Sequence, residues 1–370
     1  MVGFVTKVFC RRGLWPTTEF GAVDNDDFPI LGYDHWVADS HAARLILRSV
    51  LSRYLPLKFS PQEDRLELYP GTYREVFRRR LRGEELALAA FRAARQWNRN
   101  RSAWRVACWS NTHWAVDYRL CHTIPGTVAR LREFARANGA TVNDVLLAAF
   151  GRALAEVMPS RGRQHGLALG SIVDTRSIAD EDLSHALGAS LGYYLVRSDP
   201  DATIGLDEAA RQIAARTLPI KTHHHYMDSL VNMQVINAVW PWLSPTARCH
   251  FMRKSLPMSG GISNVVVHDA WMNENRDLIL DYHRGVSTGP NVPIVLSPTT
   301  FRDHLNIGVS YRTAGFSRAK VDTLMEVFRD QIEHPNKASR GDLRWRRVKE
   351  PATGRIAPRL QKELTPAAGS

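Results

Sequence analysis

The stretch Gly32-Tyr33-Asp34-His35-Trp36-Val37-Ala38-Asp39-Ser40 joins two segments with different hydrophobic patterns. The apolar run at 28–31 is typical of the end of a buried strand, whereas apolar residues over 46–54 recur on one helical face. The nonapeptide therefore predicts a strand-to-helix turn, with Asp39 or Ser40 as the helix N-cap. A histidine at the end of a strand can project into a cleft. The ordinary imidazole pKa of about 6.5 would suit His35 to proton transfer near neutral pH.

The spacing H-x-x-x-D occurs three times in the chain, and a pattern this short also arises by chance. The copy from His113 to Asp117 continues into polar residues rather than an amphipathic helix. The copy from His224 to Asp228 is preceded by a second histidine, but it follows a helical segment instead of a strand. The position between a predicted strand and a predicted helix favours His35 as the functional histidine.

Length and composition indicate a folded protein with a large core. The chain has 370 residues, of which 44% are hydrophobic and 23% are charged, so we expect two domains or one two-lobed fold. The net charge of +12 predicts attraction to acidic partners, which include nucleic acid, anionic lipid, a phosphorylated cofactor and an acidic protein. Tryptophans interleaved with arginines over 102–124 could stack on bases, but no nucleic-acid-binding module surrounds them. We therefore do not expect nucleic-acid binding.

The cysteines and histidines do not form a recognisable metal motif. Cys10, Cys108, Cys121 and Cys249 include no C-x-x-C pair, which argues against a zinc ribbon or a disulfide scaffold and favours the reducing cytoplasm. Consecutive histidines at 223–225 cannot all face one ion from a regular helix, so no metal site is expected. No apolar run reaches the roughly 18 residues of a membrane span.

Four further segments have clear local patterns. Residues 141–157 predict a helix that starts with a capping box, because Thr141 and Asp144 have the required spacing. A predicted strand over 167–173 leads into Asp174-Thr175-Arg176. Alternating apolar residues over 305–311 predict a half-buried strand, which a helix over 321–332 follows.

The turn at His35 resembles the H-H-x-x-x-D-G motif of the chloramphenicol acetyltransferase and condensation-domain superfamily, which includes the wax ester synthase/diacylglycerol acyltransferases. His35 matches the catalytic second histidine of that motif, and Asp39 matches its structural aspartate. Asp34 replaces the first histidine and Ser40 replaces the glycine. The sequence of residues 140–148 is also similar to that of the corresponding helix in the wax ester synthase branch.

This resemblance implies an α/β fold, a two-lobed chloramphenicol-acetyltransferase-like sandwich with the active tunnel between the lobes. The N-terminal lobe would span 1–160 and carry the turn, and the C-terminal lobe would span 161–335. A basic, disordered tail would follow over 336–370. The first lobe is expected to be abridged, since related enzymes have on the order of a hundred residues before the motif.

The resemblance also implies roles for particular side chains. Arg176 would pair with Asp39 across the lobe interface and anchor the turn. Ser263 and Asn264 would bind substrate, either through the developing oxyanion or through the acceptor, although an ordinary strand is the alternative for this segment. Asp34 would lie beside His35, where it would take part in substrate binding and raise the basicity of the histidine.

The implied activity is acyl transfer with His35 as general base. The acyl donor would be a thioester of coenzyme A or of a carrier protein's phosphopantetheine, and the acceptor a small-molecule alcohol or amine. No metal and no permanently bound cofactor are implied. The positive charge suits an acidic carrier protein and also peripheral membrane contact. Two alternatives remain, a non-catalytic protein of the same fold that binds a carrier protein or a metabolite, and a charge-driven binder of nucleic acid or anionic lipid.

Overall fold

The fold is described by a computed structural model that covers most of the chain. It describes residues 3–10, 30–34, 38–58, 66–68, 76–77, 83–106, 115–159, 162, 164–199, 204–244, 246–248, 251, 257–286, 288 and 292–337. The helices are α1 (Ser40–Leu51), α2 (Gly83–Asn100), α3 (Thr127–Ala137), α4 (Val142–Val157), α5 (Leu206–Thr222), α6 (Asp228–Val239), α7 (Ala270–Glu274) and α8 (Arg318–Glu333). The strands are β1 (Gly3–Cys10), β2 (Ile30–Asp34), β3 (Glu67–Leu68), β4 (Val116–His122), β5 (Leu167–Asp174), β6 (Ala186–Leu187), β7 (Leu191–Ser198), β8 (Gly260–Ile262), β9 (Val265–Val267), β10 (Ile279–Val286), β11 (Ile294–Phe301) and β12 (His304–Arg312).

A small antiparallel sheet positions the turn singled out from the sequence. Its strand order is β10-β1-β2, and Gly3 of β1 lies opposite Asp34 at the end of β2. Helix α1 follows and packs its buried residues Leu47 and Leu51 against a cluster that includes Tyr282 of β10. The predicted strand-to-helix arrangement around the turn is therefore present.

A larger mixed sheet forms the second layer of the fold. Its strands follow the order β4-β12-β11-β8-β5-β7, and β9 pairs with β11 beyond the end of β8. Strand β8 runs parallel to both of its neighbours, β5 and β11, whereas β12 runs antiparallel to β4 and β11. A third pair, β3 and β6, is parallel and short.

Helix α4 lies at the centre of the main core and begins as its sequence predicts. The Thr141 hydroxyl accepts from the Asp144 backbone N–H, and the Asp144 carboxylate accepts from the Thr141 N–H, which forms the capping box. Phe150 of this helix is fully buried and belongs to the main apolar cluster, to which α4, the large sheet and α8 contribute. Other members of the cluster include Leu146, Leu154, Leu169, Leu296, Ile307 and Phe328.

A strand is present over 305–311, as predicted, but the prediction that it is half-buried was wrong. All residues of β12 after His304 are buried, including Asn306 and Ser310. The reason is that β12 is an interior strand of the large sheet, hydrogen-bonded to β4 and β11, and β10 of the small sheet packs against it. Both faces of the strand are covered, so alternation of apolar and polar residues does not mark an exposed face here.

The predicted lobe boundaries stay a prediction. Strand β4, from the predicted first lobe, lies in the large sheet, and β10, from the predicted second lobe, lies in the small sheet. The predicted tail over 336–370 lies outside the described residues except for its first two positions. No helix in the described part of the chain has the length and hydropathy needed to cross a bilayer.

Candidate functional site

Asp39 begins helix α1 and is almost completely buried. Its backbone is extended, with φ −97° and ψ −174°, and its side chain accepts hydrogen bonds from the N–H groups of His41 and Ala42 at 3.0 Å each. Only 1% of the residue is exposed. The aspartate is therefore the N-cap of α1 and fixes where the chain leaves the preceding turn.

Arg176 lies directly after β5 and binds Asp39 through both of its terminal nitrogens. Nη1 donates to Asp39 Oδ2 at 2.5 Å, and Nη2 donates to Oδ1 at 3.1 Å. The guanidinium also donates to the carbonyls of Leu183 at 3.3 Å and Gly188 at 3.4 Å. The ion pair expected from the resemblance is present, and its planar two-point geometry is one that lysine does not reproduce.

A loop before β7 completes the surroundings of the carboxylate. The Ser190 N–H donates to Asp39 Oδ2 at 2.8 Å, and the Asp39 N–H donates to the Gly188 carbonyl at 3.2 Å. We call Asp39, Arg176, Gly188 and Ser190 the Asp39 latch. The Asp39 latch joins the start of α1 to the ends of two strands of the large sheet.

The charge state of Asp39 follows from these contacts. Burial opposes ionisation of the carboxyl group, but the charge of Arg176 and the hydrogen bonds from Arg176, Ser190 and Ala42 outweigh it, so the pKa of Asp39 lies below its usual value. A buried ion pair of this kind adds little net stability, because desolvation offsets the attraction. Loss of one partner is costly, since it leaves the other charge buried and unpaired.

His41, in the first turn of α1, is a neighbour of the Asp39 latch. One of its ring nitrogens, Nε2, donates to the Ser184 carbonyl at 2.7 Å. Burial lowers the pKa of His41, the Ser184 hydrogen bond opposes this shift, and the charges of Arg176 and Arg44 add to it. The imidazole is therefore held in its neutral form near neutral pH.

His35 lies outside the described residues, together with Trp36 and Val37. The described chain reaches Asp34 at the end of β2 and resumes at Ala38, one residue before the Asp39 latch. The side chain of Asp34 is not described either. The catalytic role of His35 and the substrate-binding role of Asp34 stay predictions.

Ser263 lies between β8 and β9 and is 6% exposed. Its N–H donates to the Leu296 carbonyl at 2.9 Å, which anchors the segment to β11, and half-buried Asn264 follows it. The Arg284 guanidinium donates to the Ser263 carbonyl at 2.6 Å and to its hydroxyl at 3.4 Å. The substrate-binding role of Ser263 and Asn264 stays a prediction, but Ser263 lies next to a buried cation.

Arg284 is that cation, and it is 2% exposed on strand β10. Its remaining donors reach the Thr299 hydroxyl at 3.1 Å and the Pro298 carbonyl at 3.3 Å. Among the described residues, no carboxylate forms an ion pair with Arg284, and burial lowers its pKa below the usual value. The strand therefore carries a positive charge, held by neutral oxygens, into the layer between the two sheets.

Comparisons with known proteins identify the fold. No protein-family model matches the chain, and no curated protein matches it. Solved structures do match. A condensation domain from the monacolin K polyketide synthase MokA has a TM-score of 0.59 at 12% identity, over 83% of this chain and 70% of that one. This chain has the condensation-domain fold.

Two other structures with the condensation-domain fold extend this likeness. The condensation domain that mediates chain release from the enacyloxin polyketide synthase has a TM-score of 0.52 at 15% identity, over 84% of this chain and 58% of that one. The X-domain in complex with OxyB from teicoplanin biosynthesis has a TM-score of 0.51 at 15% identity, over 83% of this chain and 67% of that one. The chain thus spans between about three fifths and seven tenths of the length of these structures.

Several residues of the site were not found from the sequence. Gly188 and Ser190 take part through backbone groups, so the residue types at these positions do not indicate the contacts. His41 was not singled out because its contact is with the carbonyl of a residue far along the chain. The burial of Arg284 does leave a signal in the sequence. Alternate residues of a strand share a face, so Arg284 lies on the same face of β10 as the buried Tyr282 and Val286.

Proposed function

We propose that the protein is an acyltransferase or condensation enzyme that moves an acyl group from a thioester to a hydroxyl or amine acceptor. The observation that carries the proposal is the Asp39 latch. It holds the residue four positions after His35 by a two-point ion pair, within a condensation-domain fold. A general base needs a fixed position relative to its substrate, and the Asp39 latch would support the turn that carries His35 from its C-terminal side.

In the proposed reaction His35 takes the proton of the acceptor O–H or N–H as the acceptor attacks the thioester carbonyl. The carbon–oxygen or carbon–nitrogen bond forms, and a tetrahedral oxyanion results. The carbon–sulfur bond then breaks, and the thiolate leaves with the proton returned by the imidazolium. Ser263 and Asn264 would stabilise the oxyanion or hold the acceptor, and Asp34 would raise the basicity of His35.

The donor proposed is acyl coenzyme A or an acyl group on a carrier protein's phosphopantetheine. The net charge of +12 favours either one, since coenzyme A carries phosphates and carrier proteins are acidic. The similarity of residues 140–148 to the corresponding helix of the wax ester synthase/diacylglycerol acyltransferases supports that branch as the nearest in chemistry, and we propose the stand-alone condensation domains beside it.

A second candidate function is non-catalytic binding of a carrier protein or metabolite. The structural likeness to the X-domain favours it, because that domain was captured in complex with another protein, OxyB. The replacement of the first motif histidine by Asp34 also favours it. The two functions differ in whether the imidazole of His35 is needed.

The test is turnover of a panel of acyl coenzyme A donors with alcohols and amines, measured by release of free thiol and by mass spectrometry of the product. His35→Ala should lower the rate by about 10²- to 10⁴-fold, the usual contribution of a general base, and should leave acyl coenzyme A binding unchanged. His224→Ala is the matched control, because it removes the histidine from another H-x-x-x-D copy. Equal rates for the two variants would refute the enzymatic proposal, and binding without turnover in the wild-type protein would favour the second function.

A further inference from the structure

Three side chains with metal-binding atoms meet where β10 of the small sheet packs against the large sheet. They are His122 at the end of β4, in the large sheet, and Asp281 and His283 on β10, in the small sheet. One ligand atom from each lies within 4.8 Å of the other two. The distance along the chain from 122 to 281 hides this group from any motif based on spacing.

The three groups are arranged from the interior towards the solvent. His283 is fully buried, the Asp281 side chain is 26% exposed, and His122 is exposed. His283 Nε2 lies 3.0 Å from Asp281 Oδ2, and the His122 ring meets the His283 ring edge-on, with centroids 4.9 Å apart. The group is therefore open to solvent on the side of His122 and closed on the side of His283.

Asn306 on β12 orients two of the three groups. Its amide nitrogen donates to Asp281 Oδ1 at 2.6 Å and to the Tyr282 carbonyl at 3.1 Å. Both of these partners can only accept, so the orientation of the amide is fixed and its oxygen faces His122 Nδ1 at 3.1 Å. Nδ1 of His122 then carries the proton, and the lone pair lies on Nε2, ready to bind an ion.

We propose that His122, Asp281 and His283 bind a divalent transition-metal ion of the zinc type. Two neutral imidazoles and one carboxylate are a ligand set that zinc takes in sites with three protein ligands and one open position. The open position would face solvent beside His122 and would hold water. Asn306 would serve as the outer partner that such sites have, since it binds a ligating carboxylate and a ligating imidazole at once.

The proposed ion would link the two sheets, and its three ligands include none of the residues assigned to acyl transfer. It would join β4 of the large sheet to β10 of the small sheet, which pairs with β1 and so supports β2 and the turn. The Asp39 latch and Arg284 do not take part in the group. The ion would therefore stabilise the packing of the sheets, and the proposal does not depend on the proposed function.

The test is a titration of metal-free full-length protein with Co²⁺, followed by visible absorption, and with Zn²⁺, followed by calorimetry. We expect one equivalent of each ion, with Co²⁺ bands of the intensity that four- or five-coordinate sites give. His122→Asn removes an exposed ligand and should weaken binding by more than the 10- to 100-fold that loss of an outer partner costs. Asn306→Ala, which removes the outer partner, should weaken metal binding by about 10- to 100-fold.

The matched control is His304→Asn. His304 is an exposed histidine beside an aspartate, with Nε2 at 3.3 Å from Asp303 Oδ1, but it lies outside the three-residue group. This variant should bind both ions as the wild-type protein does. Zn²⁺ should raise the Tm of the wild-type protein and of His304→Asn, but not that of His122→Asn. The proposal is wrong if the wild-type protein binds less than one equivalent, or if His122→Asn binds as tightly as His304→Asn.

Discussion

Asp39 and Asp228 end two copies of the same H-x-x-x-D spacing, and each forms a two-point ion pair with a distant arginine. Asp39 binds Arg176 at 2.5 and 3.1 Å, and Asp228 binds Arg92 at 2.8 and 2.9 Å. By distance alone the two pairs are alike. They differ in what surrounds them, since the Arg176 side chain is 9% exposed and the Arg92 side chain is 31% exposed.

The position of each aspartate in its helix differs as well. Asp39 precedes α1 as its N-cap and accepts three backbone N–H groups in addition to the guanidinium. Asp228 is the first residue of α6, a position preceded by Met227 and by His224 in a left-handed conformation with φ 52°. An ion pair therefore anchors the start of a helix when burial and backbone donors accompany it, as they do at Asp39.

Replacing each aspartate by alanine gives the largest expected difference between the two copies. Asp39→Ala removes the buried carboxylate from Arg176, whose remaining carboxylate partner among the described residues is the half-exposed Asp174 at 3.3 Å, and should cost about 3–5 kcal/mol of the free energy of unfolding. Asp228→Ala should cost about 1 kcal/mol, because water can solvate the more exposed Arg92. Urea unfolding followed by circular dichroism measures both. Equal losses would show that burial does not distinguish the two pairs.

Replacing each arginine by lysine sharpens the comparison with a smaller effect. The Arg176→Lys variant would keep the charge, but its ammonium group could not donate to both Asp39 oxygens and to the Leu183 and Gly188 carbonyls. We expect a loss of about 1.5–3 kcal/mol, the range for a lost hydrogen bond to a charged group. Arg92→Lys should lose less than about 1 kcal/mol. The shift of the urea midpoint is the measurement, and a larger loss in Arg92→Lys would contradict the ranking.

The pairing of Asp39 with Arg176 could be predicted from the sequence, but the backbone hydrogen bonds of Gly188 and Ser190 that complete the Asp39 latch could not. The strand-to-helix change around Asp39 fixes the local structure, and the resemblance to a known motif points to Arg176. The capping box of α4 was also predicted, because capping depends on residues three apart. The Gly188 carbonyl and the Ser190 N–H come from the loop before β7, and no residue type is required for a backbone contact.

The group of His122, Asp281 and His283 shows the same limit more strongly. These residues converge because β10 of the small sheet packs against β12, the neighbour of β4 in the large sheet. The expectation of no metal site was based on spacing along the chain, which detects ligands on one element or one hairpin. Side chains from separate sheets, such as the three ligands proposed above, can be grouped only once the topology is known.

The pH dependence of stability gives the last and smallest distinction between the H-x-x-x-D copies that end at Asp39 and Asp228. Each aspartate has a histidine nearby, His41 beside the Asp39 latch and His225 beside Asp228. Burial lowers the pKa of both rings below 6.5, and a neighbouring arginine charge contributes in each case. A histidine with a lowered pKa takes up its proton more readily in the unfolded state. Stability is therefore present above the unfolded pKa and is lost as the pH falls below about 6.5 towards the folded pKa.

His41→Gln should remove more of this slope than His225→Gln, because the His41 ring is more enclosed by protein and burial is the largest cause of the shift in both. The measurement is the free energy of unfolding between about pH 7.5 and pH 5 for the wild-type protein and both variants. Other histidines contribute equally to all three curves, so differences between the curves isolate the two rings. If His225→Gln flattened the curve more than His41→Gln, the Asp39 latch would not be the more enclosed of the two ion pairs, and the contrast drawn from burial would fail.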